Sequence, residues 1–399
     1  MSTQKQNILF IHHGGGEGGA FLNLLYIIRN LDVYKYSPRV LLLAKSSAYE
    51  NFIANKIKVD IVNCKFYRRN RNYFIHSAVG VIKWYQVISV VKMVHYWFFS
   101  AFYYAPKILR IESPDLLYLN SSVLTDWAFA TKRVGIKNII HIQEPIAKGY
   151  FGIRRFIMRK IINSCSDQVI AISSDNANRL KLNHKTTVIY NIVDEDQFNP
   201  NIIVPDNLKL IKKILYAGGT DTHKGFITFA EAINYINSDI RIYLAGNLSF
   251  PKRFPWQPSY KAIEMKKKML ERIYKNPNIE IIGWTDNISK YLAQSVVSIS
   301  PFAVPHFSRL VLESFALKKP AIASNVEGMD EIIEHGVDGL LFQNNDPKSL
   351  ADSINYLCSH PSVAKEMGNA GYVKYKKRYS CDNIVKVESI LQTIFSGNN

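Results

Sequence analysis

Short apolar runs of strand length alternate with amphipathic stretches of helix length almost from one end of this sequence to the other. That alternation is the signature of parallel strands joined by helical crossovers, so the chain reads as doubly wound α/β. Strand-like runs fall at residues 7–12, 39–44, 59–63, 116–119, 139–142, 168–172 and 187–189, and a second series at 213–217, 241–245, 279–282, 296–299, 321–323 and 339–342. The 399 residues exceed one ordinary core and suit two domains of about 200 residues each. A polar stretch without periodicity, from Asp194 through Pro200 to Asn207, separates the two series. The expected division is therefore 1–200, 201–375 and a terminal helix, 376–399, that packs back on the first domain, with a cleft between two similar lobes.

Charge narrows the partners. Fifty Lys and Arg against 32 acids give a net charge of +18, which favours phosphorylated ligands and acidic surfaces. Nucleic acid is not expected, because no motif for it accompanies the charge and the basic segments are too apolar for a simple phosphate-tracking surface. Cys64, Cys165, Cys358 and Cys381 lack the paired spacing of a zinc site and read as reduced, buried and structural. The first residues run straight into a strand without the apolar stretch and cleavage site of a signal peptide, which points to a cytoplasmic protein.

One segment departs from the ordinary. Between Val62 and Ile111 there is no Asp or Glu, yet there are eight basic residues, Arg71 and Lys83 among them, and thirteen aromatics that include Trp84, Tyr85, Tyr96, Trp97, Phe98 and Phe102. A second acid-free stretch, 146–166, carries Arg154, Arg155, Arg159 and Lys160 at helical spacing. This mixture suits the headgroup level of an anionic bilayer, and core or cleft lining is the competing reading. The longest charge-free run, 93–106, falls short of the roughly 20 apolar residues a membrane span needs.

Four stretches carry candidate chemistry. His12-His13-Gly14-Gly15-Gly16-Glu17-Gly18-Gly19 joins the first strand to a helix, where glycines let backbone approach a ligand and helix amides attract phosphate. It is not the G-x-G-x-x-G fingerprint of dinucleotide folds. His141, followed by Gln143 and Glu144, stands at a strand end where α/β sheets bind ligands; it suits contact with a substrate hydroxyl or phosphate, or proton movement, and a structural histidine is the alternative. In the second half Gly218-Gly219-Thr220-Asp221-Thr222-His223-Lys224-Gly225 again joins strand to helix, with Lys224 placed to meet a diphosphate. Last, Pro305-His306-Phe307-Ser308-Arg309 leads into a helix that carries Glu313: Ser308 is a natural N-cap, Arg309 adds charge at the first turn, and the carboxylate suits a ribose diol.

These residues resemble the retaining glycosyltransferases of the GT-B fold, group 1 or family 4 type. The similarity is strongest over 215–225 and 296–342, notably Glu313-Ser314-Phe315-Ala316-Leu317-Lys318-Lys319-Pro320 and Gly328-Met329-Asp330-Glu331-Ile332-Ile333-Glu334-His335-Gly336. It implies two Rossmann-like domains facing across a cleft, with the acceptor on the N-terminal side. By the same resemblance His141, Lys224 and Glu313 serve catalysis, while Gly18, Gly19, Gly218, Ser308, Arg309, Gly328 and Met329 line the donor. Ser173 and Asn191 fall at the family's inter-domain turns. Two motif positions differ: Pro305 replaces the first of two glutamates that have seven residues between them, and Gly219 replaces an arginine that pairs with the lysine on the diphosphate. Arg309 or His306 would have to supply the missing cation.

The implied reaction moves a sugar from a nucleotide diphosphate donor to a glycan or lipid-linked acceptor, with retention, no metal, and Lys224 and helix amides meeting the leaving charge. A lipid-linked acceptor would place it peripherally on the inner membrane face, in polysaccharide assembly. A nucleotide-sugar epimerase and a non-catalytic family member remain the alternatives.

Overall fold

A computed structural model describes residues 5–14, 18–70, 87–202, 204–205, 211–257 and 259–397. Gly15, Gly16 and Glu17 of the first glycine loop, and Arg71, Lys83, Trp84 and Tyr85 of the basic aromatic segment, lie outside the described residues. The chain divides into two compact units, one of residues 1–192 with 381–399 and one of residues 193–380.

The first unit holds a seven-stranded parallel sheet in the order β3-β2-β1-β4-β5-β6-β7. Its strands are β1 (Gln6–His12), β2 (Tyr36–Leu42), β3 (Val59–Ile61), β4 (Leu116–Leu119), β5 (Lys137–Ile142), β6 (Gln168–Ala171) and β7 (Thr186–Val188). β2 starts at Tyr36, ahead of its apolar run, and so includes Pro38. Pro38 pairs with Ile8 on one side only, because β3 joins no earlier than Val40, so its missing N–H leaves no sheet bond unmade.

Alternate residues of β1 feed two cores. Ile8 and Phe10 pack with the helix Gly19–Asn30, whereas Leu9 and Ile11 face the layer formed by the helices Ala105–Glu112, Thr125–Val134 and Ile153–Cys165. The helix Asn383–Ser396 belongs to this unit: Val387, Leu391 and Ile394 join the core of Ile8 and Phe10, Glu388 accepts from the Asp32 amide at 2.8 Å, and the Ile394 carbonyl accepts from Lys137 Nζ at 3.2 Å.

The second unit repeats the plan with six parallel strands ordered β10-β9-β8-β11-β12-β13. They are β8 (Lys213–Tyr216), β9 (Arg241–Ala245), β10 (Ile279–Gly283), β11 (Val297–Ser300), β12 (Ala321–Ser324) and β13 (Gly339–Phe342). The division falls after Ile192 rather than at residue 200, and for a local reason. Val193 is fully buried, Gln197 Nε2 donates to the Asp286 carbonyl at 2.7 Å, and Tyr375 donates to Glu195 at 3.0 Å, so the polar stretch after Ile192 is tied to the second unit. The other crossing comes at Cys381 rather than at residue 376, because Tyr379 is buried and donates to the Glu331 carbonyl at 3.4 Å.

None of the four cysteines forms a disulfide; Cys165 and Cys358 are buried, but Cys64 and Cys381 are only half-buried. No helix among the described residues is long and apolar enough to cross a membrane.

Candidate functional site

In each sheet the strand order reverses beside the first strand, between β1 and β4 and between β8 and β11. Crossovers leave such a point in opposite directions, so the loops there splay apart and open a crevice at the carboxyl ends of the strands. The candidate residues gather at these two places.

In the second unit the loop 217–225 follows β8 and the loop 301–308 follows β11. Tyr216, at the end of β8, is buried and stacks on Phe229, and its hydroxyl reaches back to the carbonyls of Gly219 at 3.2 Å and Lys224 at 3.3 Å. The phenol thus staples the two ends of the glycine loop. Gly218 lies directly over it, since a Cβ there would stand 2.2 Å from the hydroxyl. Gly219 is held at φ +57°, with Asn247 O only 2.3 Å from where its Cβ would be. The position of the absent arginine is therefore built for a residue without a side chain.

Lys224 is exposed at the end of this loop. Lys266, on the helix Tyr260–Tyr274, brings a second ammonium to the loop: it donates to Thr220 O and Thr222 Oγ1, both at 3.2 Å. Nothing in the sequence distinguished it from the other lysines of that helix. The amide of Ala303 donates to His223 O at 3.0 Å, and that of His306 to Glu327 O at 3.1 Å, which draws the loops after β8, β11 and β12 into one rim.

The helix Arg309–Ala316 rises from that rim. Glu313 is buried and accepts from Arg309 Nε at 2.7 Å, one turn earlier. Burial pushes the Glu313 carboxyl up from its ordinary range, and the neighbouring guanidinium partly offsets this. Ser308 occupies the N-cap position but does not cap: its hydroxyl pairs with Ser300 Oγ at 3.0 Å on β11 and makes no bond to the first helical amides. The expected cap is thus a brace between strand and helix. His306 stacks face to face on Phe302 at 3.8 Å, and Pro305 is half-buried in the same loop. Gly328 and Met329 stand on the loop after β12 with their amides committed to Asp330 Oδ1 at 3.1 Å and Val326 O at 3.0 Å; the Met329 side chain is wholly buried.

In the first unit Gly18 and Gly19 open the helix Gly19–Asn30, and an added Cβ at either would meet no atom within 4 Å. A polar network lies behind them. Asn120 Nδ2 donates to Ala20 O at 2.9 Å and lies 3.3 Å from His12 Nδ1, while its Oδ1 accepts from Gln143 Nε2 at 3.0 Å. Asn120 thus ties the ends of β1, β4 and β5 together. Sequence reasoning passed over it, although three polar residues, Asn120, Ser121 and Ser122, directly follow an apolar strand.

His141 is buried, with Nδ1 2.7 Å from the Tyr118 hydroxyl. Burial lowers its pKa to about 3, so the ring is neutral at ordinary pH and suited to hydrogen bonding rather than to carrying a proton. Burial lowers His12 as well, with His13 adding to the effect. Glu144 accepts from Ser121 Oγ at 3.2 Å, and burial raises its carboxyl to about 7. Ser173 caps the helix Ser174–Leu180 by accepting from Asn176 N at 3.0 Å, and Asn191 is buried. Among the described residues no three His, Cys, Asp or Glu side chains cluster in a way that would hold a metal ion.

Comparison with known proteins agrees with this architecture. An uncharacterized glycosyltransferase of Methanocaldococcus jannaschii is 25% identical over 348 residues, 82% of this chain and 88% of that one. The capsular polysaccharide biosynthesis glycosyltransferase CapM of Staphylococcus aureus is 23% identical over 291 residues, 67% of this chain and 72% of its own. The crystal structure of Anabaena HepE in complex with UDP and glucose superposes with a TM-score of 0.74 at 17% identity, covering 97% of this chain and 99% of HepE. Residues 211–360, which contain Lys224, Arg309 and Glu313, match the model of the glycosyl transferases group 1, and the chain has the GT-B fold of two parallel-sheet α/β units.

Proposed function

We propose that the protein is a retaining glycosyltransferase that moves a sugar from a nucleotide diphosphate donor to a glycan or lipid-linked acceptor in cell-surface polysaccharide assembly. The observation that carries this reading is the buried Glu313 carboxylate, held by Arg309 at the mouth of the β8–β11 switch point. A carboxylate fixed there suits the two hydroxyls of a ribose. The UDP in the HepE complex supports the donor, and the role of CapM in capsular polysaccharide biosynthesis supports the pathway class.

In this reading Lys224 and the N-terminal end of the helix Arg309–Ala316 meet the two phosphates, with Ser308 and Gly218 shaping the approach. Lys266 adds charge to the same loop and offsets the arginine lost at Gly219. Gly328 and Met329 border the donor as loop backbone, both amides and the Met329 carbonyl being taken up by bonds within the loop and the turn after it. In the first unit Gly18 and Gly19 leave room for the donor, and the neutral His141 ring hydrogen-bonds the transferred sugar. As the anomeric C–O bond breaks, negative charge grows on the departing diphosphate, the acceptor oxygen bonds to the anomeric carbon on the same face, and its proton leaves with the diphosphate. Lys224 stabilises that charge without a metal. A lipid-linked acceptor presupposes work at a bilayer surface, and a net charge of +18 suits an anionic one.

The test incubates the protein with a panel of nucleotide sugars and a lipid-linked acceptor. Acceptor-dependent release of nucleoside diphosphate, unaffected by EDTA, with product of the donor's anomeric configuration by NMR, is the expected result. An isomerised donor, an inverted product or no turnover would each refute the reading.

A further inference from the structure

The helix Val87–Phe99 is amphipathic in the reverse sense. At 100° per residue Ile88, Val91, Val94 and Phe98 share one face, and that face looks into solvent: they are 68%, 63%, 59% and 53% exposed. The opposite side carries Tyr96, which packs in the core beside Tyr67 and Phe66. The helix runs through a single π-turn, Ser100–Tyr104, which adds Phe102 and Tyr103 to the exposed side before the helix Ala105–Glu112 begins.

A second apolar ridge stands on the same side of the sheet. Phe151 is fully exposed at φ +48°, and the helix Ile153–Cys165 after it turns Ile153, Phe156 and Ile157 outward. Both ridges belong to one layer, because Tyr96, Leu109, Trp127 and Ile162 all join the core of Leu9 and Ile11, and Phe129 on the helix Thr125–Val134 packs against Trp97 and Phe102.

The exposed charge that flanks the ridges is positive. Exposed Lys92, Lys107, Arg110, Arg133 and Lys160 flank them, Arg133 lying 4.9 Å over the Phe102 ring and Lys160 4.9 Å over Phe156. Arg155 and Arg159 take no part, since their Nε atoms are bound to the carbonyls of Ile146 and Arg179. Residues 87–111 and 146–166 contain no acid; of the acids on the layer's helices, Asp126 is buried and Glu112 is paired with Arg39.

We propose that this layer is a docking surface for an anionic lipid bilayer, with the two ridges entering the headgroup–acyl boundary and the flanking lysines and arginines meeting lipid phosphates. The sign of the charge selects this occupant: a second copy of the chain would set the same cations against each other, whereas an anionic bilayer offers both an apolar interior and negative headgroups. Its purpose rests on the lipid-linked acceptor proposed above; its physics does not.

Flotation of the full chain with vesicles decides the matter. The protein should rise with equimolar phosphatidylglycerol and phosphatidylcholine, and stay below with phosphatidylcholine alone. Phe98→Asp and, on the other ridge, Phe151→Asp should each lower the bound fraction about tenfold. Both side chains are exposed, so the melting temperature and turnover on a short soluble acceptor should not change. Protein that ignores anionic vesicles, variants that float as well as the parent, or a dimer in solution that Phe98→Asp dissolves would overturn the proposal. Floating protein that transfers no sugar would leave the surface standing and remove the transferase reading instead.

Discussion

Arg309 donates from Nε to Oε1 of Glu313 at 2.7 Å, one turn along the same helix, with both side chains buried. The sequence reading casts Arg309 as a candidate cation for the diphosphate. The geometry changes that expectation. Arg309→Ala leaves a buried carboxylate without its counter-charge, which costs on the order of 3–5 kcal/mol. Turnover should collapse and the melting temperature should fall together, and the stability loss should shrink as the pH drops and Glu313 takes up a proton. Calorimetry at two pH values checks this; a loss independent of pH would mean that the pair is not ionic.

Asp126 makes the complementary case. It is fully buried, accepts a hydrogen bond from Ser100, and burial raises its carboxyl to about 7. An unfolded aspartate titrates near 4, so between about pH 4 and 7 the folded state holds the extra proton and stability falls as the pH rises through that window. Asp126→Asn should stabilise the protein at pH 8 by up to about 4 kcal/mol and change little at pH 4. Denaturant unfolding at both pH values measures it.

Restoring the family's arginine should fail. Gly219 sits at φ +57° with a carbonyl 2.3 Å from the place of a Cβ, so Gly219→Arg strains the loop before its guanidinium reaches any ligand. A destabilisation of about 1–3 kcal/mol and weaker binding of nucleoside diphosphate, read by thermal shift and calorimetry, are expected. A gain in turnover would show that the loop relaxes.

His141 should contribute no limb to the pH–rate profile near its ordinary pKa, because burial keeps the ring neutral. Tyr118→Phe removes the hydrogen bond to Nδ1, worth about 1–1.5 kcal/mol, and should lower kcat about tenfold with the donor KM unchanged. A raised KM alone would place His141 in ground-state binding.

Both sheets were legible because strands buried on two faces read as continuous apolar runs, and the loops holding Lys224 and Glu313 were legible because a glycine-rich turn and a charged first turn are local signals. What escaped depends on distance. Lys266 and Asn120 act on residues 46 and 108 positions away, at Thr220 and His12, and no periodicity records such a meeting. Ser308 misled for the same reason: as a serine before a helix it signals a cap, but its partner Ser300 stands on the preceding strand. The outward apolar face of the helix Val87–Phe99 was half legible, since composition marked the segment but cannot say which side faces in.

The helix Asn383–Ser396 supplies part of the core that begins with β1. On the ribosome, the first sheet therefore waits for residues synthesised almost four hundred codons later, while the 193–380 unit emerges whole and can fold at once. Until that helix arrives, Tyr36 lacks the Phe395 ring it stacks on and the core around Ile8 is incomplete, and a nascent chain stalled before it would be the species that chaperones and proteases meet.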